Sequence, residues 1–446
     1  MSKNNSIYLF KLALISSIGG FLFGYDTSAI SGAISSIQKY FQLNSLETGW
    51  AVSNVVLGCI IGSILSIWYS EHFGRKMTLI GASFALLISA GWSALSTTFI
   101  EFTLARILGG IGVGLVAAVS PMYISEIASK HNRGRLSMMN DFAIVFGQII
   151  IFLVNYQIAK GMTQEWLVNL GWRYMLGSEL IPCLVFTILL YQIPESPRWL
   201  AQKGHTKLAE DVVNTIYTGN ELKDVIQSFY SKNETRMKTA SKGLLVIACL
   251  LAMFQQLSGV NVMMYYAPTV LEEITGSHEE ALFQTIWIGV AQLIGVFAGG
   301  YLLDKFGRVP MMKIGALGSA AGLFIVSYFL YSQTDAYLTL VGMIIFMLFY
   351  AVSFGLGMWV LIAELFPNAS RSHGLSIAVT FNWIANFLVA QTFPMINEQP
   401  WLKDTFHGAF PMWIYGAYCI VGFFFVSKVL KETKGKSLEQ IEKLYS

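Results

Sequence analysis

Charge is what this chain of 446 residues has least of: only 12% of its side chains are Asp, Glu, Lys or Arg. Soluble domains usually carry about 25%. Hydrophobic residues make up 54%, more apolar surface than a water-soluble fold of this length can hide. That shortage of charge excludes a soluble globule and points to a lipid bilayer. The net charge of +3 argues for no anionic partner, and no basic block interleaved with aromatics suggests nucleic acid. Cysteine is also scarce. Cys59, Cys183, Cys249 and Cys419 each lie in an apolar stretch and none belongs to a CxxC pair, so they read as small buried side chains. The six histidines are scattered, without HExxH or a His/Cys cluster. No GxxxxGK[ST] phosphate loop is present, which excludes a nucleotide-driven motor of the usual kind. No nucleophile–base set stands out, so the chain reads as a non-enzyme, with no metal and no cofactor.

What is present is a series of long apolar runs. A helix needs about 20 mostly apolar residues to span a bilayer. Such runs cover 7–30, 48–69, 77–97, 99–124, 138–159 and 172–192, then 243–271, 280–303, 310–331, 336–362, 372–395 and 406–429. The first run exceeds a signal peptide in length and lacks a clear cleavage site, so it reads as a span. The expected fold is an all-α membrane protein with twelve spans in two six-helix bundles. Its division is 1–195 for the first bundle, 196–241 for a linker, 242–430 for the second bundle and 431–446 for a tail. In the linker, Leu200-Ala201, Leu208-Ala209, Val212-Val213 and Val225-Ile226 alternate with charges, which predicts short amphipathic helices.

Lys and Arg set the orientation, because basic loops stay cytoplasmic. With both termini inside, the cytoplasmic segments hold Arg75, Lys76, Lys130, Arg133, Arg135, Lys305, Arg308, Lys313, Arg371 and every basic residue of the linker. The opposite side keeps only Lys39, Lys160, Arg173 and Lys403. The expected location is the cell (inner) membrane. The N-x-[ST] matches at Asn4, Asn233 and Asn368 then fall inside and read as chance.

The halves repeat. Glu71-His72-Phe73-Gly74-Arg75 follows the second span and Asp304-Lys305-Phe306-Gly307-Arg308 the eighth. Glu126 precedes Arg133 by seven residues, as Glu364 precedes Arg371. Pro194-Glu195-Ser196-Pro197-Arg198 closes the first half and Glu432-Thr433-Lys434-Gly435 the second. The offsets, 308 − 75 = 233, 364 − 126 = 238 and 432 − 195 = 237, are nearly constant. Duplication of one six-helix unit accounts for that, with a substrate site expected between the copies near the midplane. The repeated charges Arg75, Glu126, Arg133, Glu195, Arg198, Arg308, Glu364, Arg371 and Glu432 read as a gating network at the cytoplasmic helix ends. The bland alternative is charge that only sets topology.

Together with Gly19-Gly20-Phe21-Leu22-Phe23-Gly24-Tyr25-Asp26 and Pro194-Glu195-Ser196-Pro197-Arg198-Trp199-Leu200, these motifs resemble the sugar porter family of the major facilitator superfamily along essentially the whole chain. The pattern is nearest its bacterial proton-coupled pentose and hexose symporters. The first half departs from the family's loop: its usual acid–basic–x–Gly–Arg reads Glu71-His72-Phe73-Gly74-Arg75.

Three charges lie deep in spans: Asp26 in the first, Arg106 in the fourth and Glu179 in the sixth. A charge at mid-bilayer costs at least about 2.5–3.5 kcal/mol, so it should be paired and functional. A nearby arginine keeps a buried carboxylate ionised, and a carboxylate that loses its cation takes up a proton more readily. This is the working part of a proton-coupled carrier, and equally the chemistry of a permanent structural pair. The resemblance implies the first reading, since Asp26 matches the family's proton-site aspartate, Arg106 its partner and Glu179 a third member.

Neutral amides form the second constellation: Gln148 in the fifth span, Gln255, Gln256 and Asn261 in the seventh, Gln292 in the eighth and Asn382 in the eleventh. A carboxamide donates and accepts, as a sugar hydroxyl does. Trp359 and Trp383 can lay an apolar face on a sugar ring, and Gly259, Gly355 and Gly357 can loosen their helices. Each amide alone could instead be a helix–helix hydrogen bond. By resemblance, Gln148, Gln255, Gln256, Asn261, Gln292, Trp359 and Asn382 align with sugar contacts, and Phe23, Tyr265, Gly355 and Trp383 with the pocket wall. Family symporters often carry Asn at 292 and Gln at 382, the reverse of this chain. The tenth-span segment Gly355-Leu356-Gly357-Met358-Trp359 lacks the family's proline.

The expected function is thus a proton-coupled sugar symporter working by alternating access. Its partners are a small sugar, protons and the bilayer, and the family implies a monomer. A proton-independent facilitator is the alternative. A sugar sensor is disfavoured by the short tail, and a membrane enzyme by the missing chemistry.

Overall fold

The computed structural model describes residues 3–129, 132–218, 222, 225–226, 242–366, 371–436 and 440–441. All regular structure among them is helical. Each of the twelve expected spans is present, from Ser6–Phe41 and Ser45–His72 to His373–Asn397 and Ala409–Val429. Most ends lie within a few residues of those read from hydropathy. The first span continues past 30 to Phe41, the sixth starts at Gln164 instead of 172, and the seventh ends at Tyr265 instead of 271. The last turns of the first span carry Ser31, Gly32, Ser35, Ser36, Gln38 and Lys39, which dilute hydropathy without breaking a helix. The helix ends obey local rules. Thr98 and Glu101 form a reciprocal capping box at the start of the fourth span. Asp335 accepts the N–H groups of Tyr337 and Leu338 at the start of the tenth.

By their contacts the residues fall into two compact units that do not follow chain order. The first comprises Met1–Ala29, Asn54–Val154 and Trp172–Glu234. Its second and fourth spans touch backbone to backbone: a Cβ on Gly110 would lie 2.8 Å from Gly58 Cα, closer than any side chain tolerates. The first and fifth spans meet in the same way, with Gly147 placed against the Tyr25 main chain. Two linker helices follow, Pro197–Gln202 and Thr206–Ile216. The second buries Ala209, Val213 and Ile216 and leaves Leu208 exposed, as its amphipathic pattern requires. Tyr217 Oη donates to the Ile127 carbonyl at 2.8 Å and pins the linker to the end of the fourth span.

The second unit comprises Ile30–Ser53, Asn155–Gly171 and Thr235–Ser446. The ninth span packs on the tenth and twelfth, and the seventh on the eleventh. Ends of first-half helices belong here because of specific bonds. Gln38 Nε2 donates to Glu398 at 3.0 Å, Ser53 Oγ to Gln391 at 2.7 Å, Gln391 Nε2 to the Leu46 carbonyl at 2.9 Å and Gly161 N to Glu279 at 3.0 Å. Glu398 thus gives the polar end of the first span a partner that lipid would not.

Three spans are interrupted. The seventh breaks at Ser258-Gly259, where Gly259 has φ 85°, between Lys242–Leu257 and Val260–Tyr265. The tenth contains a widened π turn, Ala351–Gly355, before Gly357–Leu365. The sixth has another, Leu167–Gly171, and a second break at Ser178-Glu179 before Leu180–Leu190.

Candidate functional site

The duplicated sequence motif folds into the same small device twice, once in each unit. Gly74 and Gly307 turn the chain with φ 92° and 96°. A Cβ at Gly307 would also lie 2.8 Å from the Glu432 carboxyl carbon, so both backbone and space demand glycine. The turn starts the third and ninth spans, whose first N–H groups have no partner within the helix. Glu195 takes the N–H of Arg75 at 2.9 Å and of Lys76 at 3.1 Å. Glu432 takes those of Arg308 at 3.1 Å and Val309 at 3.0 Å. A carboxylate at a helix N-terminus is also favoured by the helix dipole.

The neighbouring carboxylates hold the arginine side chains. Arg75 binds Glu126 through two N–H groups, at 2.9 and 2.7 Å. Arg308 reaches Glu364 at 3.2 Å and the exposed Asp304 at 3.4 Å. Ser196 Oγ and Thr433 Oγ1 donate to Glu126 and Glu364 at 2.5 and 2.6 Å. The expected ion pairs of Glu126 and Glu364 are therefore formed, each inside its own unit. Glu195 and Glu432 instead take main-chain N–H groups. Burial pushes the Glu195 carboxyl above its usual range, against the opposing pull of the Ser196, Lys76 and Arg75 N–H groups and the Arg75 charge. Arg198 lies in the first linker helix and has contacts of its own. The side chains of Arg133 and Arg371 lie outside the described residues.

The deep charges Asp26, Arg106 and Glu179 come together in the first unit. All three are buried. Arg106 Nη1 donates to Asp26 Oδ1 at 2.5 Å, and Nη2 reaches the Asp26 main-chain carbonyl at 3.3 Å. Asp26 Oδ2 and Arg106 Nε are buried without a hydrogen-bond partner among the described residues. Glu179 stands in the field of both Asp26 and Arg106 and accepts a long contact from Cys183 Sγ at 3.8 Å. It occupies the break in the sixth span, where the helix restarts. Beside it, Tyr25 Oη and Ser178 Oγ share a hydrogen bond of 2.8 Å. One cation thus faces two carboxylates, an arrangement that can hold a proton when the pair opens.

Four of the six amides converge in the second unit. Gln255 Nε2 donates to the Phe354 carbonyl at 3.0 Å. Asn382 Nδ2 donates to Gln255 Oε1 at 2.6 Å and to the Ala252 carbonyl at 2.9 Å. Gln256 Nε2 donates to Asn382 Oδ1 at 3.1 Å, and Asn261 Nδ2 to Gln256 Oε1 at 2.5 Å. Gln292 in the eighth span makes none of these bonds, and its Oε1 is buried without a partner among the described residues. Gln148 Oε1, in the first unit, is likewise unpartnered.

The remaining expected wall residues are placed as follows. Trp359 is half-buried in the last segment of the tenth span. Tyr265 and Trp383 are buried, Phe23 is half-buried, and all three are engaged in contacts. Of the three glycines expected to loosen helices, only Gly259 has a positive φ. Gly355 closes the π turn instead. Sequence reasoning missed the carbonyls of Phe354 and Ala252 as part of the site, since a main-chain acceptor leaves no residue signature. The run Gly355-Leu356-Gly357 was the available hint of irregular backbone in the tenth span.

Twelve spans from a duplicated half, three of them broken, with buried charge and converging neutral amides, define a secondary transporter of the major facilitator fold. The chain belongs to the sugar transporter family, whose model, described as "Sugar (and other) transporter", matches residues 12–445. It is 40% identical to the D-xylose-proton symporter of Escherichia coli (strain K12), covering 100% of this chain and 97% of that protein. It is 33% identical to the arabinose-proton symporter of Bacillus subtilis (strain 168), covering 98% and 95%. The solved inward open conformation of the xylose transporter from E. coli superposes with a TM-score of 0.88 at 39% identity, covering 98% of this chain and 100% of that one.

Proposed function

We propose that this chain is a proton-coupled sugar symporter that works by alternating access. The observation that carries the reading is the buried Asp26–Arg106 pair with Glu179 beside it. A carrier with no use for protons has no need to keep two carboxylates and one guanidinium out of water. The relatives named as xylose-proton and arabinose-proton symporters support the same reading. Pentoses and related hexoses are the substrate class, read by Gln148, Gln255, Gln256, Asn261 and Gln292, with Trp359 and Trp383 offering apolar faces.

In this mechanism a protonated Asp26 releases Arg106, sugar binds, and the interrupted seventh and tenth spans move at their breaks. Sugar leaves on the other side, and Asp26 loses its proton and re-pairs with Arg106. The paired devices around Glu126 and Glu364 serve the cytoplasmic helix ends. That assignment rests on the Lys and Arg bias, which also supports both termini on the cytoplasmic side of the cell membrane. The sequence halves 1–195 and 242–430 act as the two moving bundles of one monomer, joined by the linker and followed by the tail.

The test is uptake of labelled D-xylose and L-arabinose into proteoliposomes with a pH electrode outside. The expected result is sugar-dependent alkalinisation of the medium, with accumulation driven by an imposed proton gradient. Sugar entry with no proton uptake at any pH would establish the facilitator instead.

A further inference from the structure

The bonds among the amides run in one direction. Phe354 O and Ala252 O are main-chain carbonyls and can only accept. They therefore fix which way the carboxamides of Gln255 and Asn382 face, a choice that side-chain atoms alone leave ambiguous. From there each link is determined. Gln255 turns its nitrogen to Phe354 and its oxygen to Asn382, which answers with Nδ2. With Nδ2 also on the Ala252 carbonyl, both N–H groups of Asn382 are spent. Its oxygen faces Gln256 Nε2, and the oxygen of Gln256 faces Asn261 Nδ2. The chain of donors runs Asn261, Gln256, Asn382, Gln255, Phe354, and its open end is the half-buried carboxamide of Asn261. Aligned hydrogen bonds polarise one another, so the terminal oxygen is tuned by the links behind it.

We infer that Asn382 is a positioning residue for sugar recognition: it passes the direction set by the two carbonyls on to Gln256 and Asn261, and Asn261 Oδ1 at the end of the relay accepts a hydrogen bond from a sugar hydroxyl. This rests on the sugar-transporter reading and deepens it. Asn382 itself has one oxygen lone pair left, so its own reach to a sugar is minor. Its side chain bridges the seventh and eleventh spans through these bonds. Gln255, Gln256 and Asn261 each keep one N–H for the ligand. The sugar therefore meets three oriented amides, and two of them, Gln256 and Asn261, take their orientation through residue 382.

The experiment measures binding of D-xylose and of its deoxy and deoxyfluoro derivatives at each hydroxyl to the purified full chain, by quenching of tryptophan fluorescence. Fluorine keeps the size of the hydroxyl but donates no hydrogen bond. In the wild type, the deoxy and deoxyfluoro sugars at the hydroxyl seated on Asn261 should both bind about tenfold more weakly than D-xylose. The readout is the ratio of each derivative to D-xylose, which a loosened structure that weakens all sugars alike leaves unchanged. Asn382→Leu removes the bridge. Asn382→Asp keeps the shape and the oxygen facing Gln256 but cannot donate to Gln255 when ionised. Melting curves check both variants, and if Asn382→Leu does not fold, Asn382→Asp decides. A change in the ratios at two or more hydroxyls together is the expected result. A change at a single hydroxyl would make Asn382 a direct contact and overturn the inference, as would no change. A wild type that binds none of these sugars overturns the transporter reading and this inference with it.

Discussion

Arg75 grips Glu126 with two N–H groups at 2.9 and 2.7 Å, and both side chains are buried from solvent to about nine-tenths. The counterpart pair, Arg308 and Glu364, has one bond of 3.2 Å and is more exposed. The same motif is thus held tightly in one unit and loosely in the other. Lysine cannot reproduce a two-pronged guanidinium contact. Arg75→Lys should cost about 1–3 kcal/mol, the range for a charged hydrogen bond, and lower the melting temperature in detergent more than Arg308→Lys. Equal effects would mean that the asymmetry carries no energy.

Asp26→Asn removes the carboxylate proposed to carry the proton while keeping its shape and one acceptor for Arg106. Sugar counterflow in proteoliposomes should persist. Accumulation against a gradient should vanish, leaving equal concentrations on the two sides. Full accumulation by this variant would remove Asp26 from the coupling mechanism.

Glu272 lies in the short helix before the eighth span and bonds His278 Nδ1 at 2.7 Å. Burial raises its carboxyl, but His278, Lys39 and the Ser35 hydroxyl outweigh that and hold it below the usual 4.5. A depressed carboxylate adds stability above its ordinary pKa and loses it as pH falls through the lowered one. Lys39 and Ser35 belong to the end of the first span, so the contact secures that end. In a cysteine-free background, a cysteine at Gln38 should react with an impermeant maleimide about two- to fivefold faster in Glu272→Gln, as for a partly exposed pair. The wild type should converge on the variant in acid below the ordinary glutamate range. A gap that survives there would exclude the carboxylate charge as the cause.

Glu195 should show the opposite sign. Its folded pKa lies above 4.5 because burial outweighs its N–H donors. The folded state therefore binds more protons than the unfolded one in that window, and wild-type stability falls as pH rises through it. Glu195→Gln is neutral throughout. The melting temperature of the variant should gain on the wild type from acid to neutral pH; a constant difference would contradict the burial argument.

Gly259 adopts φ 85°, and a Cβ there would lie 2.7 Å from the Tyr415 ring. Gly259→Ala should cost about 1–2 kcal/mol for the backbone conformation alone, visible as a lower melting temperature. An unchanged melting curve would show that the break in the seventh span does not need glycine.

Much of this was legible in the sequence because it rests on averages and repeats. Hydropathy located the twelve spans, and the constant offset of Arg75 and Arg308 exposed the duplication. The last turns of the first span were not legible: Ser35, Gln38 and Lys39 lower local hydropathy, and their partners Glu272 and Glu398 lie far away in the sequence. The caps made by Glu195 and Glu432 were hidden for a related reason. A carboxylate near an arginine in sequence suggests an ion pair, and only the turn at Gly74 or Gly307 shows that the main chain is the nearer donor. The interruption at Ser178-Glu179 was also missed, although Gly177 stands beside it. Of the six amides named from the sequence, four join one cluster, and their order was not readable, because two main-chain carbonyls set it.

The relay of amides carries no net charge from Asn261 to Phe354. Moving one elementary charge through the membrane field is worth about 2.3 kcal/mol per 100 mV, and moving a neutral group is worth nothing. Voltage therefore has no grip on the sugar or on the side chains that read it. In the proposed mechanism any dependence of uptake on membrane potential enters with the proton at Asp26, so a cell that depolarises loses the electrical part of its drive to concentrate sugar and keeps the part set by the pH difference.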